Sequence, residues 1–66
     1  MTNFVKEHTK MMTCVKRGKY HAVFFNPKNG LYEIWDAVEQ CDWADNKTEA
    51  IETMKDLDRH YMEEYL

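Results

Sequence analysis

Tyr20-His21-Ala22-Val23-Phe24-Phe25-Asn26-Pro27-Lys28-Asn29-Gly30-Leu31-Tyr32-Glu33-Ile34-Trp35 is the stretch that decides the fold. Two aromatic and β-branched runs flank five residues of turn chemistry. Such runs favour strands, because their side chains pack well on a pleated surface. Asn29-Gly30 supplies the positive φ angles that tight turns need, and Pro27 presets its own φ. The reading is a β-hairpin. Successive side chains alternate between its faces. Tyr20, Ala22 and Phe24 share one face, and His21, Val23 and Phe25 share the other. Leu31, Glu33 and Trp35 lie together, as do Tyr32, Ile34 and Asp36. Both faces are therefore partly apolar. One can take a helix; residues 1–18 or a partner can cover the other.

The helix follows downstream. Asn46, with Glu49 three positions on, reads as a capping-box-like start. Ala50, Met54, Leu57, Tyr61 and Tyr65 recur at helical spacing and form one apolar face. Glu49, Glu52, Asp56, Arg59 and Glu63 mark the other. Upstream, Met11-Met12-Thr13-Cys14-Val15 reads as a strand that turns at Lys16-Arg17-Gly18-Lys19. A helix bearing Phe4, Val5, His8, Met12 and Val15 is the alternative. Residues 1–9 are read as loose or a short helix, and residues 37–45 as a loop or a short fourth strand. The expected fold is α+β. It is a small antiparallel β-meander of three strands (about 11–16, 20–25 and 31–36) packed on one C-terminal helix (about 46–65).

Sixty-six residues make one small domain. Its core must come largely from two Trp, four Tyr, three Phe and five Met. Aromatics bury about 150–250 Å² each, so they can fill a small core and leave a surplus for contact. The chain opens without a long apolar run, so neither a signal peptide nor a membrane span is expected. The expected compartment is the cytoplasm, where Cys14 and Cys41 stay free thiols.

Around the hairpin, Gly18-Lys19-Tyr20-His21-Ala22 followed by Pro27-Lys28-Asn29-Gly30, with Thr48-Glu49-Ala50 opening the helix, resembles a known family. It is the Apetala/ethylene-response-factor type DNA-binding domain and its phage-integrase relatives, over about residues 15–60. The resemblance implies a three-stranded sheet laid in the DNA major groove and backed by one helix. It puts the DNA contacts on Lys16, Arg17, Lys19 and Tyr20, with Trp35. The chain departs from the family in a longer stretch between Gly30 and the helix. It also has Leu31-Tyr32-Glu33 where the family carries an Arg. Gly30-Leu31-Tyr32, Cys41 and Thr48-Glu49-Ala50 also resemble HicB-type antitoxins, which implies a neutraliser of a small basic toxin.

Charge divides the chain. Residues 1–30 hold six Lys/Arg against one acid, Glu7, whereas residues 31–66 hold three against eleven acids. The formal net charge of −3 conceals that split. Surface fields steer partners and do not choose folds. The basic cluster Lys16, Arg17 and Lys19, with Tyr20 and Lys28, is the nucleic-acid candidate, since basic residues among aromatics hold phosphates and stack bases. The acidic set is Asp36, Glu39, Asp42, Asp45, Glu49, Glu52, Asp56 and Glu63. It reads as a docking surface for a basic protein or a nucleic-acid-handling enzyme. Trp35 and Trp43 are its aromatic anchors.

Enzyme signatures are missing. With only Gly18 and Gly30 there is no glycine-rich phosphate loop. No nucleophile–base–orienter pattern shows. His8, Cys14, His21, Cys41 and His60 lack metal-ligand spacing, so no metal or cofactor is expected. The reading is a small non-catalytic binding protein, an inhibitor or adaptor of the kind phages and mobile elements encode. DNA binding and an antitoxin-like role are the alternatives. A homodimer is compatible with the composition.

Overall fold

The computed structural model describes residues 12–65, with side chains through Glu63. The expectations for residues 1–9, including Phe4, Val5 and His8, lie outside that range. Four strands, β1 (Thr13–Arg17), β2 (Ala22–Asn26), β3 (Leu31–Trp35) and β4 (Gln40–Ala44), precede one helix, α1 (Lys47–Tyr65). The sheet is antiparallel in the order β1-β2-β3-β4, so every sheet neighbour is also a chain neighbour. The class is α+β. The expected three strands are corrected to four, because Gln40, Asp42, Trp43 and Ala44 pair with β3.

The central hairpin forms as its turn chemistry dictates. Gly30 has φ +73° and its N–H donates to Asn26 O at 2.9 Å. Asn26 Oδ1 accepts from Lys28 N at 2.9 Å, and Asn29 Oδ1 accepts from Leu31 N at 3.0 Å. These side chains complete the turn that the backbone alone leaves unsatisfied. The register follows, with Val23 opposite Ile34 and Phe24 opposite Glu33.

Both outer strands carry a bulge. Val15 is extra against β2 and Cys41 is extra against β3, where the registers shift. A bulge twists an edge away from further pairing. β1 and β2 start and end a residue or two later than the expected bounds.

Helix α1 starts as the cap predicts. Glu49 N donates to Asn46 Oδ1 at 2.8 Å. Glu49 reaches back to the Asn46 side-chain amide, at 3.3 Å, instead of to its backbone. Ala50 and Met54 are buried, and Leu57 is half-buried. They pack on Val23, Ile34 and Ala44, with Val15, Tyr32 and Ile51 at the margin. Tyr61 lies beyond this core and stacks on Tyr20, ring centroids 4.3 Å apart.

The opposite face of the sheet is also buried at its centre. Phe24, Glu33 and Trp35 are 6%, 8% and 9% exposed. Glu33 satisfies its carboxylate locally. Oε1 accepts from the Trp35 indole N–H at 3.0 Å, and Oε2 from the Asn26 amide at 2.9 Å. A buried carboxylate is tolerable only with donors of this kind.

Candidate functional site

Antiparallel order collects particular loops at one end of the sheet. The turn over residues 18–21, the turn over residues 36–39 and the second half of α1 meet there. The turn over residues 27–30 and the start of α1 lie at the other end.

Asp58 organises the first end. Its Oδ2 accepts from Lys19 N at 2.8 Å, and its Oδ1 accepts from Tyr20 N at 3.1 Å. Oδ1 also lies 2.6 Å from His21 Nδ1. The two side chains are 15% and 6% exposed. Burial pushes the Asp58 carboxyl up, but the His21 hydrogen bond and the two backbone N–H groups outweigh it and hold the group below its ordinary value. Gly18 makes this approach possible. A Cβ there would stand 2.5 Å from Asp58 Oδ2, 2.9 Å from Met54 Sδ and 3.0 Å from His21 O. Asp58 is anchored and cannot swing away. Gly18→Ala should therefore destabilise the domain by about 1–3 kcal/mol, as overpacking does. A urea melt of that variant with an unmoved midpoint would contradict this.

Asp36 organises the neighbouring turn. Its Oδ1 accepts from Val38 N and Glu39 N, both at 2.7 Å. Burial raises this carboxyl too, yet those two bonds, the Cys41 thiol and nearby His21 bring it below its ordinary value. For Cys41 the balance is reversed. Partial desolvation of the thiol, then the negative charge of Asp36, pushes it up to about 11. A thiol so shifted is a poor nucleophile at neutral pH.

The sign of the resulting pH dependence follows from the two carboxylates. A carboxylate depressed in the folded state stabilises fully above its unfolded value, and that contribution disappears as pH falls through the folded value. In a chelator-containing buffer, the urea midpoint should stay level down to about pH 4, the ordinary carboxylate range, and drop below it. Asp58→Asn should flatten the acid limb. An acid limb of undiminished slope in that variant would place the titration elsewhere.

A cavity of about 250 Å³ opens at this end, lined by Arg17, Lys19, Tyr20, His21, Trp35 and Asp36 among others. That is below the usual range for small-molecule pockets, about 300–1,000 Å³. A second cavity of about 390 Å³ adjoins it, lined by Lys19, Tyr20, Asp36, Ala37, Val38 and Tyr61, and falls within that range.

The residues expected to bind partners fall in different places. Lys16 and Arg17 are exposed on β1, and Lys19 is exposed in the adjoining turn. Lys19 Nζ lies 5.7 Å from the Tyr20 ring. Lys28 sits in the opposite turn, one strand length away, about 17 Å, so it does not join them. Trp43 is 54% exposed on β4, whereas Trp35 is buried. Asp36 is half-buried within its turn, and Glu39, Asp42, Asp45, Glu49, Glu52, Asp56 and Glu63 are exposed. Asp42 Oδ1 accepts from Trp43 N at 2.8 Å, and Asp56 pairs with Arg59 at 2.5 Å. His60 Nδ1 lies 4.0 Å from Glu63.

Sequence reading left out Asp58 altogether and treated His21 as scattered. One signal was available. Asp58 lies within the apolar stripe, one position after Leu57 and three before Tyr61, where an acid needs a buried donor.

No family model, curated protein or solved structure matches this chain. Among the described residues, no helix is long and apolar enough to cross a membrane.

Proposed function

We propose that this chain is a small cytoplasmic, non-catalytic binding protein that acts by protein–protein contact. Its working surface is the β4 edge with the neighbouring acids of α1, and its role is that of an inhibitor or adaptor of the kind phages and mobile elements encode. The observation that carries this reading is Trp43, 54% exposed on an edge strand. Exposed Glu39, Asp42 and Asp45 surround it in the chain. An exposed Trp within a polar rim has the make-up of an interface hot spot, and the acids select a basic partner.

The exposed basic residues Lys16, Arg17 and Lys19 support a second reading, DNA binding through β1 and its turn. An overall negative charge weighs against it, because counterion release needs several phosphate contacts.

The test is affinity capture from lysate of the source cells, with and without nuclease, followed by titration of the purified partner. The expected result is a basic protein retained after nuclease treatment. Its affinity should fall about 30-fold or more with Trp43→Ala, a hot-spot loss, and fall further with added salt. Binding that Trp43→Ala and Asp42→Lys leave unchanged overturns the reading. Capture that nuclease abolishes, together with a gel shift lost in Arg17→Ala/Lys19→Ala, would establish the second.

A further inference from the structure

We propose that His21, Asp36 and Cys41 form a binding site for a Zn²⁺-type cation. The three residues come from different parts of the fold. His21 leads into β2, Asp36 follows β3, and Cys41 is the extra residue of the β4 bulge. A bulge re-aims a side chain that regular pairing would direct elsewhere. Here one ring nitrogen, one sulfur and one carboxylate oxygen all lie within 4.8 Å of one another. Zn–N and Zn–O bonds of about 2.0–2.2 Å and a Zn–S bond of about 2.3 Å put tetrahedral ligands roughly 3.3–3.7 Å apart. Side-chain adjustments on the order of 1 Å would therefore close the set around an ion.

The surroundings match a metal site beyond the three donors. Metal-bound histidines generally donate their second ring N–H to a carboxylate, a backbone carbonyl or water, which fixes tautomer and orientation. His21 is buried, and its Nδ1 lies 2.6 Å from Asp58 Oδ1. Asp58 is itself held by two backbone N–H groups. An imidazole that donates from Nδ1 presents its lone pair at Nε2. Asp36 is fixed in its turn through Oδ1.

The donor set selects the ion. Calcium and magnesium take oxygen ligands, whereas imidazole with thiolate suits zinc and its borderline neighbours. A thiolate and a carboxylate together balance the charge of a divalent ion. Three protein donors leave a fourth position, as in open zinc sites. His21 and Asp36 both line the cavity of about 250 Å³, which has room for a water or small anion there.

Cobalt(II) is the probe, because it adopts zinc geometry and reports its ligands optically. The full chain, stripped with chelator and kept reduced, is titrated with Co²⁺. The expected result is a near-ultraviolet thiolate-to-cobalt band that saturates at one equivalent, with visible bands of four-coordinate cobalt. Zn²⁺ should then displace the signal. Cys41→Ser should remove the near-ultraviolet band, and Asp36→Asn should weaken binding at least tenfold. Cys14→Ser should change neither. Circular dichroism confirms that each variant is folded, and Cys41, an exposed residue, tolerates serine without loss of core. No near-ultraviolet band in the wild type, or a band that survives Cys41→Ser, overturns the proposal and leaves a hydrogen-bonded network.

Discussion

Asp58→Ala should leave the domain unfolded, or close to its midpoint, at 25 °C in the absence of denaturant. The side chain serves Lys19 N, Tyr20 N and His21 Nδ1 together, at 2.8, 3.1 and 2.6 Å. Its removal strands the buried His21 imidazole and the part-buried Tyr20 N–H, and leaves the exposed Lys19 N–H to water. Breaking a buried, charged partnership costs about 3–5 kcal/mol, mostly because the remaining groups stay desolvated. A single core in a domain of this size rarely supplies more than about 3–5 kcal/mol in total. The loss is therefore comparable to the whole stability. Asp58→Asn keeps one oxygen and turns an amide toward donors, so an intermediate loss of about 1–3 kcal/mol is expected. Far-UV circular dichroism with urea melts reads both. An Asp58→Ala midpoint within about 0.5 kcal/mol of wild type, the range of ordinary surface changes, would remove Asp58 from this role.

The second large effect is Ile34→Ala. Ile34 is fully buried on central strand β3, between β2 and β4 and beneath α1. Val23, Ala44, Ala50 and Met54 surround the same core. Truncating such a side chain costs the lost transfer free energy plus a residual cavity, about 2–5 kcal/mol. Small Ala neighbours cannot extend to refill the space, so the upper half of that range is expected. Val38→Ala, at a site 63% exposed, provides the contrast and should stay within about 0.5 kcal/mol of wild type. Equal melts for the two variants would mean that this core does not carry the fold.

The hairpin and the helix were legible because their signals are local. Asn26, Asn29 and Gly30 build a turn with their own atoms, and Asn46 caps the helix through Glu49 N, three residues on. Strand β4 was less legible. Gln40-Cys41-Asp42-Trp43-Ala44 buries only Ala44, and the bulge at Cys41 breaks the alternation that a strand would otherwise display. Trp35 read as a contact anchor because aromatic type says nothing about depth. Glu33, two residues before it, accepts its indole N–H and lets it go inside. The cluster of His21, Asp36, Cys41 and Asp58 has no spacing motif at all. Those residues meet only because antiparallel order returns three chain segments and the helix to one end of the sheet.

Asp58 lies 39 positions after Lys19 in the chain. On the ribosome, the donors of the first turn thus emerge well before their acceptor. The meander can zip from neighbour to neighbour, yet the turn over residues 18–21 stays unpinned until the helix swings back onto the sheet. The expected order therefore places the Asp58 contacts late, after the folding barrier. Changes at Asp58 should accelerate unfolding and leave the refolding rate nearly untouched, which makes that one carboxylate the governor of how long the folded molecule lasts.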